Sequence, residues 1–269
     1  MHITALLTCY NRRNKTLRCL SGLQSMDLPA GARLFIVLVD DNSSDGTADA
    51  VCENFPEVEV LSGSGQLYWC GGMRKAWQHA ALSDPDYYLL VNDDTIIQPY
   101  AFSELHKIVG APTSRTIGVG AIMDPVRGTA AYGGRGGARG SKLIAPTGRP
   151  EPCVTLNANL ALVTREVFKE LGILHDAYTH GLGDYDYGFQ ATRAGIPIYQ
   201  TPGFVGACKQ DTYIGSFCDT SLPRFKRLQL IQSPKGLPFK EWVIYNRRNT
   251  GWLWPYRCIT PYLRILLGM

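Results

Sequence analysis

Over the first ninety or so residues, short continuous apolar runs alternate with longer stretches in which apolar side chains recur every three or four positions. The runs predict buried strands at 2–8, 33–40, 57–61 and 86–91. Between them, Asn14 to Ser25 carries Leu17, Leu20 and Leu23 at three-residue spacing, and Ser44-Asp45-Gly46-Thr47 opens a helix toward Asn54. Short polar side chains at such starts cap free backbone N–H groups. A third helix is expected from Gly71 to Leu82, stopped by the turn signal Asp84-Pro85. Strand and helix in this alternation predict an α/β fold with a mostly parallel sheet covered by helices. After Asp94 the rhythm changes. A helix is expected at 99–109, a strand at 117–122, a strand at 153–163, and helices at 164–171 and 184–194. Tyr132 to Gly140 holds five glycines and two arginines, which reads as a hairpin tip or a mobile loop. There is no internal repeat.

Length and composition narrow this picture. At 269 residues, 45% apolar and 19% charged, the chain has a core to bury and is long enough for one large domain with an appendage. We place the main domain at 1–218 and a helical tail at 219–269. Net charge is only +4, but nine lysines and arginines crowd the last 46 residues among Trp and Tyr. The tail is therefore basic and aromatic. Eight cysteines without a Cys-x-x-Cys pair are expected to be buried free thiols in a reducing compartment. Ile3 to Thr8 follows no basic region and reads as a strand, not a signal peptide. No run approaches the roughly 20 apolar residues needed to cross a bilayer. A cytoplasmic location follows as the expectation, and no nucleic-acid partner is expected.

Three acidic constellations follow apolar strands or open helices. In open α/β sheets ligands bind at the carboxyl ends of the strands. Asp40 and Asp41, after the second strand, either hold a base or ribose or form a plain turn and helix cap. Asn92-Asp93-Asp94 follows the fourth strand. Adjacent carboxylates repel unless a cation or donors neutralise them, and a hard divalent ion does so while also binding a diphosphate. Asp94 is the candidate metal ligand, and Asp93 is expected to reach the sugar or ribose. Asp184, in Gly183-Asp184-Tyr185-Asp186, is either an N-cap or a base that takes a proton from an attacking hydroxyl.

In order along the chain, Thr8-Cys9-Tyr10-Asn11-Arg12, Val39-Asp40-Asp41-Asn42-Ser43-Ser44-Asp45-Gly46-Thr47, Asn92-Asp93-Asp94 and Gly183-Asp184-Tyr185-Asp186 closely resemble the family 2 glycosyltransferases of GT-A fold, over roughly residues 2–205. The resemblance implies nucleotide contacts at Thr8, Tyr10, Arg12 and Asp41, manganese or magnesium on Asp94, and a catalytic base at Asp184. It also places Gly71 and Arg74, in the glycine-rich approach to the third helix, near the donor. Gly183 stands where Glu is commoner, Gln190 where Arg is often found, and Arg74 where Asn is frequent. The stretch Phe204 to Cys208 has no His where many members supply a further metal ligand.

The implied reaction is an inverting transfer from a UDP- or dTDP-linked sugar to a hydroxyl of a glycan or lipid-linked acceptor. Members of this size resemble rhamnosyl- and galactosyltransferases of bacterial surface polysaccharide assembly. A nucleotidyltransferase would need a glycine-rich phosphate loop soon after the first strand, and Asn11-Arg12-Arg13-Asn14 has no glycine. A non-catalytic nucleotide-sugar-binding subunit is the other alternative. The tail either rests on the inner face of the cell membrane, since Trp, Tyr, Lys and Arg favour lipid headgroups, or packs on the main domain.

Overall fold

The computed structural model describes all 269 residues. Its first half follows the alternation of the sequence. Strand β1 (His2–Cys9) leads to helix α1 (Arg13–Gln24), β2 (Arg33–Asp40) to α2 (Thr47–Asn54), and β3 (Val58–Ser62) to α3 (Tyr68–Ala80), which ends before β4 (Tyr87–Val91). These four strands lie in the order β3-β2-β1-β4 and run parallel throughout. The second half is mixed. After β5 (Ile96–Ile97), α4 (Ala101–Val109) and β6 (Ile117–Met123) come the short β7 (Ala130–Tyr132), β8 (Gly134–Gly136), β9 (Lys142–Leu143), β10 (Glu151–Cys153) and β11 (Thr155–Leu156). Strand β12 (Leu160–Thr164) then inserts antiparallel between β4 and β6. Helices α5 (Arg165–Leu171) and α6 (Gly183–Arg193) precede β13 (Ile198–Ala207), which pairs parallel with β6. The parallel character expected of the sheet is thus concentrated in residues 2–91.

Both faces of the sheet are covered, which is why its strands read as continuous apolar runs. Ile3, Ala5 and Leu7 of β1 enter a core with Leu20 and Leu23 of α1 and Phe102 and Leu105 of α4. Leu6 points the other way, toward Met73 and Trp77 of α3 and Tyr187 of α6. Alternate side chains of one strand feed opposite layers.

The second half departs from the expected elements at two places and agrees at one. The strand expected at 153–163 is interrupted: β11 and β12 belong to different sheets, separated by the turn at Asn157 to Asn159. Of the two readings of the glycine-rich stretch, the hairpin is the one found: β8 and β9 pair antiparallel around a tip at 137–141, and β11 pairs with the other edge of β8. Finally, β13 had not been anticipated. Its Pro202-Gly203 reads as a turn, but the strand absorbs the pair in an irregularity between Gln200 and Phe204, where the Thr201 hydroxyl donates to the Gly203 carbonyl at 2.8 Å. All eight cysteines are free, five of them buried.

The chain ends in α7 (Arg224–Ile231), α8 (Phe239–Asn249) and α9 (Trp254–Leu266). Helix α8 is tied to the sheet domain by polar contacts. Arg248 donates to both oxygens of the buried Asp186 at 3.0 and 3.1 Å, Asn249 donates to the same carboxylate at 2.7 Å, and Glu241 accepts from the Thr179 backbone and hydroxyl. No helix is long and apolar enough to cross a membrane.

Candidate active site

The carboxyl ends of β1, β2 and β4 open on a cleft of about 800 Å³. Thr8, Tyr10 and Arg12 come from the end of β1 and the turn after it, Asp41 follows β2, and Asn92, Asp93 and Asp94 follow β4. The start of α6 adds Asp184 and Tyr185, and the loop between α7 and α8 adds Ser233, Pro234 and Lys235. Asp41 is buried and accepts the backbone N–H groups of Gly65, Leu67 and Tyr68 at 2.8, 2.9 and 3.0 Å. It therefore shapes the entry to α3 while lining the cleft. Asp40 turns away, accepting from the Ser43 N–H and hydroxyl.

Arg12 joins the two acids after β4, donating to Asp93 and Asp94 at 3.0 Å each. Lys15 lies 3.5 Å from the same oxygen of Asp94. Burial pushes the Asp93 carboxyl up to about 6, against the lowering effect of the Arg12 charge. The donors answer the like-charge problem posed by the Asp-Asp pair, and Arg12 brings one of the two cations into the cleft.

Asp184 sits in the first turn of α6 and accepts from the backbone N–H of Ala158 at 3.2 Å and of Tyr185 at 2.8 Å. Such donors favour the charged form, yet burial outweighs them and raises the carboxyl to about 6. Its neighbour Asp186 faces the other way, engaged by α8. Burial also lowers the cleft-lining His180 to about 4, which keeps its ring neutral near pH 7, and its Nδ1 has no hydrogen-bond partner. The backbone is left-handed at Tyr68 (φ +52°) and Leu182 (φ +70°), both on the cleft wall. Non-glycine residues of this size adopt that region at a cost, and such strain concentrates at functional sites.

The model of the family described as "Glycosyl transferase family 2" matches residues 4–172 of the chain. The chain belongs to that family. It is a glycosyltransferase of GT-A fold. Among solved structures it is similar to the mannosyltransferase PcManGT from Pyrobaculum calidifontis in complex with GDP-Man and Mn2+, at TM-score 0.60 and 15% identity, covering 99% of this chain and 73% of that one. It is also similar to S. aureus TarS 1-349, at TM-score 0.58 and 13% identity, covering 98% and 81%. Likeness at these identities concerns the fold. A search of the curated proteins finds no match.

In this family 2 glycosyltransferase, seven of the ten residues singled out from the sequence line one cleft, namely Thr8, Tyr10, Arg12, Asp41, Asp93, Asp94 and Asp184, while Asp40 turns away from it. Gly71 and Arg74 do not line it either. Gly71 is buried in α3 against Leu67, and Arg74 donates to the carbonyls of His175 and Tyr178 at 3.1 and 2.7 Å, where it braces the loop that leads to α6. Gly183 has a local reason: a Cβ there would stand 2.5 Å from Cys70 Sγ, so a larger side chain has no room. His180 and Lys235, to which no motif pointed, also form the wall, as do Asn92 and Tyr185 from the quoted motifs and Trp69 from the approach to α3. Trp69 Nε1 donates to Asn92 Oδ1 at 2.8 Å, and Asn157 donates to the Tyr185 hydroxyl at 3.2 Å under the Arg135 guanidinium, which lies 5.3 Å from the ring.

For a divalent cation, the donors fit one mode and not another. No group of three or more His, Cys, Asp or Glu side chains gathers into an all-protein cage. Cys208 Sγ, not an imidazole, stands 3.5 Å from Asp94 Oδ1. What the chain offers is one or two hard carboxylates beside a cleft. Magnesium-like ions are commonly held in this way, completing their shell with water and substrate phosphate oxygens.

Proposed function

We propose that this glycosyltransferase transfers a sugar, with inversion, from a UDP- or dTDP-linked donor to a hydroxyl of a glycan or lipid-linked acceptor in bacterial polysaccharide assembly. The observation that carries the reading is the convergence of nucleotide-side residues Thr8, Tyr10, Arg12 and Asp41, the acidic pair Asp93-Asp94, and the isolated carboxylate Asp184 on one cleft. PcManGT, the similar solved protein, was captured with a nucleotide sugar and Mn2+, which supports the same ligand class here.

Asp184 accepts the proton of the acceptor hydroxyl as its oxygen attacks the anomeric carbon from the face opposite the leaving diphosphate. Single displacement inverts that centre. A carboxylate with pKa near 6 is a stronger base than an ordinary Asp and is still ionised at pH 7. Manganese or magnesium held by Asp94 would offset negative charge on the departing diphosphate. Arg12 and Lys15 bring positive charge to the same place, and Asp93 orients Arg12 and is available to the sugar or ribose. We take residues 1–218 as the catalytic domain and 219–269 as an appendage that completes one cleft wall.

A thermal-shift screen of nucleotide sugars with and without manganese tests this reading, because ligand binding to the folded state stabilises it in proportion to ln(1 + [L]/Kd). One UDP- or dTDP-sugar should raise the melting temperature, more with manganese than after chelation. Asp94→Ala should abolish the manganese-dependent part. Equal shifts for that variant, or after chelation, would remove the metal role.

A further inference from the structure

Helix α9 is apolar on two faces. Cys258 and Ile265 are buried against the rest of the tail. Tyr256, Ile259, Leu263, Leu266 and Leu267 recur at three- and four-residue spacing on the opposite side, each between 49% and 71% exposed. Trp252, 87% exposed, extends the stripe before the first turn. An ordinary surface helix buries its one apolar stripe and presents a polar face to water. Here the second stripe has no partner in the chain.

Loose docking does not account for this exposure. The Tyr262 hydroxyl donates to the Leu237 carbonyl at 2.6 Å, Trp242 Nε1 donates to the Arg257 carbonyl at 3.1 Å, and Arg227 donates to the terminal Met269 carbonyl at 2.7 Å. The helix is held by its inner face and the stripe is presented outward.

We infer that this stripe docks α9 in the plane of an anionic lipid surface, which brings the cleft to a lipid-borne acceptor. The charge of the tail selects that occupant. From residue 219 onward, nine Lys and Arg against Asp219 and Glu241 give +7, while the whole chain carries +4. Of the nine cations, Arg248 alone lies within 4 Å of a side-chain carboxylate and Arg227 is buried, which leaves seven unpaired. A second copy of the chain on this stripe would set +7 against +7, whereas anionic headgroups complement it. At 13 residues, α9 is roughly 20 Å long, too short to span a bilayer but suited to lie within its interface. The tail also reaches the site: Leu230, Ser233, Pro234 and Lys235 line the cleft, and α9 packs on α7 and α8, which flank that loop. The statement about the acceptor rests on the glycosyltransferase reading, while the docking of α9 does not.

The test is co-sedimentation of the full chain with vesicles of phosphatidylglycerol and phosphatidylcholine, beside vesicles of phosphatidylcholine alone. Binding should require phosphatidylglycerol, fall at high salt, and drop at least tenfold in Ile259→Ser with Leu263→Ser. Lys226→Glu with Arg264→Glu should lower it through charge alone, with the apolar stripe intact. Melting temperature and donor-induced thermal shift should stay as in the parent, so that a failed donor screen and a failed vesicle assay remain separate results. The proposal is overturned if the parent does not bind anionic vesicles, or if the Ser variant binds as well as the parent. It is likewise overturned if gel filtration finds a parent dimer that the Ser variant converts to monomer, which would assign the stripe to a second copy.

Discussion

Asp184 and Asp93 are carboxylates whose burial raises their pKa to about 6, from an ordinary value of 3.8. Between those values the folded chain binds more protons than the unfolded one. Their contribution to stability is therefore greatest at low pH, falls as pH rises from about 4 to about 6, and stays low above that. Other carboxylates that gain donors on folding, such as Asp124 and Asp219, act in the opposite direction, so the difference between parent and variant is the quantity to measure. Urea unfolding at pH 4.5 and 7.5 should find that Asp184→Asn gains stability relative to the parent at the higher pH, by roughly 1 kcal/mol or more. No gain would mean that Asp184 is not held at a raised pKa. As the proposed base, the same residue should set the activity profile. Turnover should rise as pH climbs through about 6 and then level off as the base becomes ionised. A profile flat from pH 5 to 8 would speak against it.

At the scale of elements, α8 is joined to α6 by Arg248 and Asn249 on the buried Asp186. Removing one partner of a buried pair leaves the other charge uncompensated, so Arg248→Ala should lower unfolding stability by about 3 kcal/mol, read by denaturant titration. A loss under 0.5 kcal/mol would mean the contact is solvated. The tie also separates the two acids of Gly183-Asp184-Tyr185-Asp186: a half-turn apart on α6, they face different partners. The four parallel strands were legible because burial on both faces leaves long apolar runs. The strand β13 was not, because Pro202-Gly203 imitates a turn that a local irregularity absorbs. The cleft was legible where acids follow strands. His180 and Lys235 gave no such signal, since only tertiary folding brings the loop before α6 and the loop after α7 to the ends of β1 and β4. Arg74, placed near the donor by the resemblance alone, is engaged by carbonyls more than 100 residues away, which no local pattern announces.

Across the whole molecule, charge is divided between residues 1–218, near −3, and residues 219–269, at +7, and both parts line the cleft. That division is the one the proposed docking of α9 on an anionic surface requires. The central claim, however, is chemical: a donor held by residues after β1, β2 and β4, and a proton taken by Asp184. It is tested most directly by measuring transfer, or slow donor hydrolysis, together with calorimetric donor affinity, for the parent and for Asp184→Asn at pH 7.5. The account predicts turnover reduced by roughly 10²–10⁴-fold with donor affinity unchanged within a factor of about two. Turnover within a few-fold of the parent, or donor affinity lost in parallel with turnover, would contradict it.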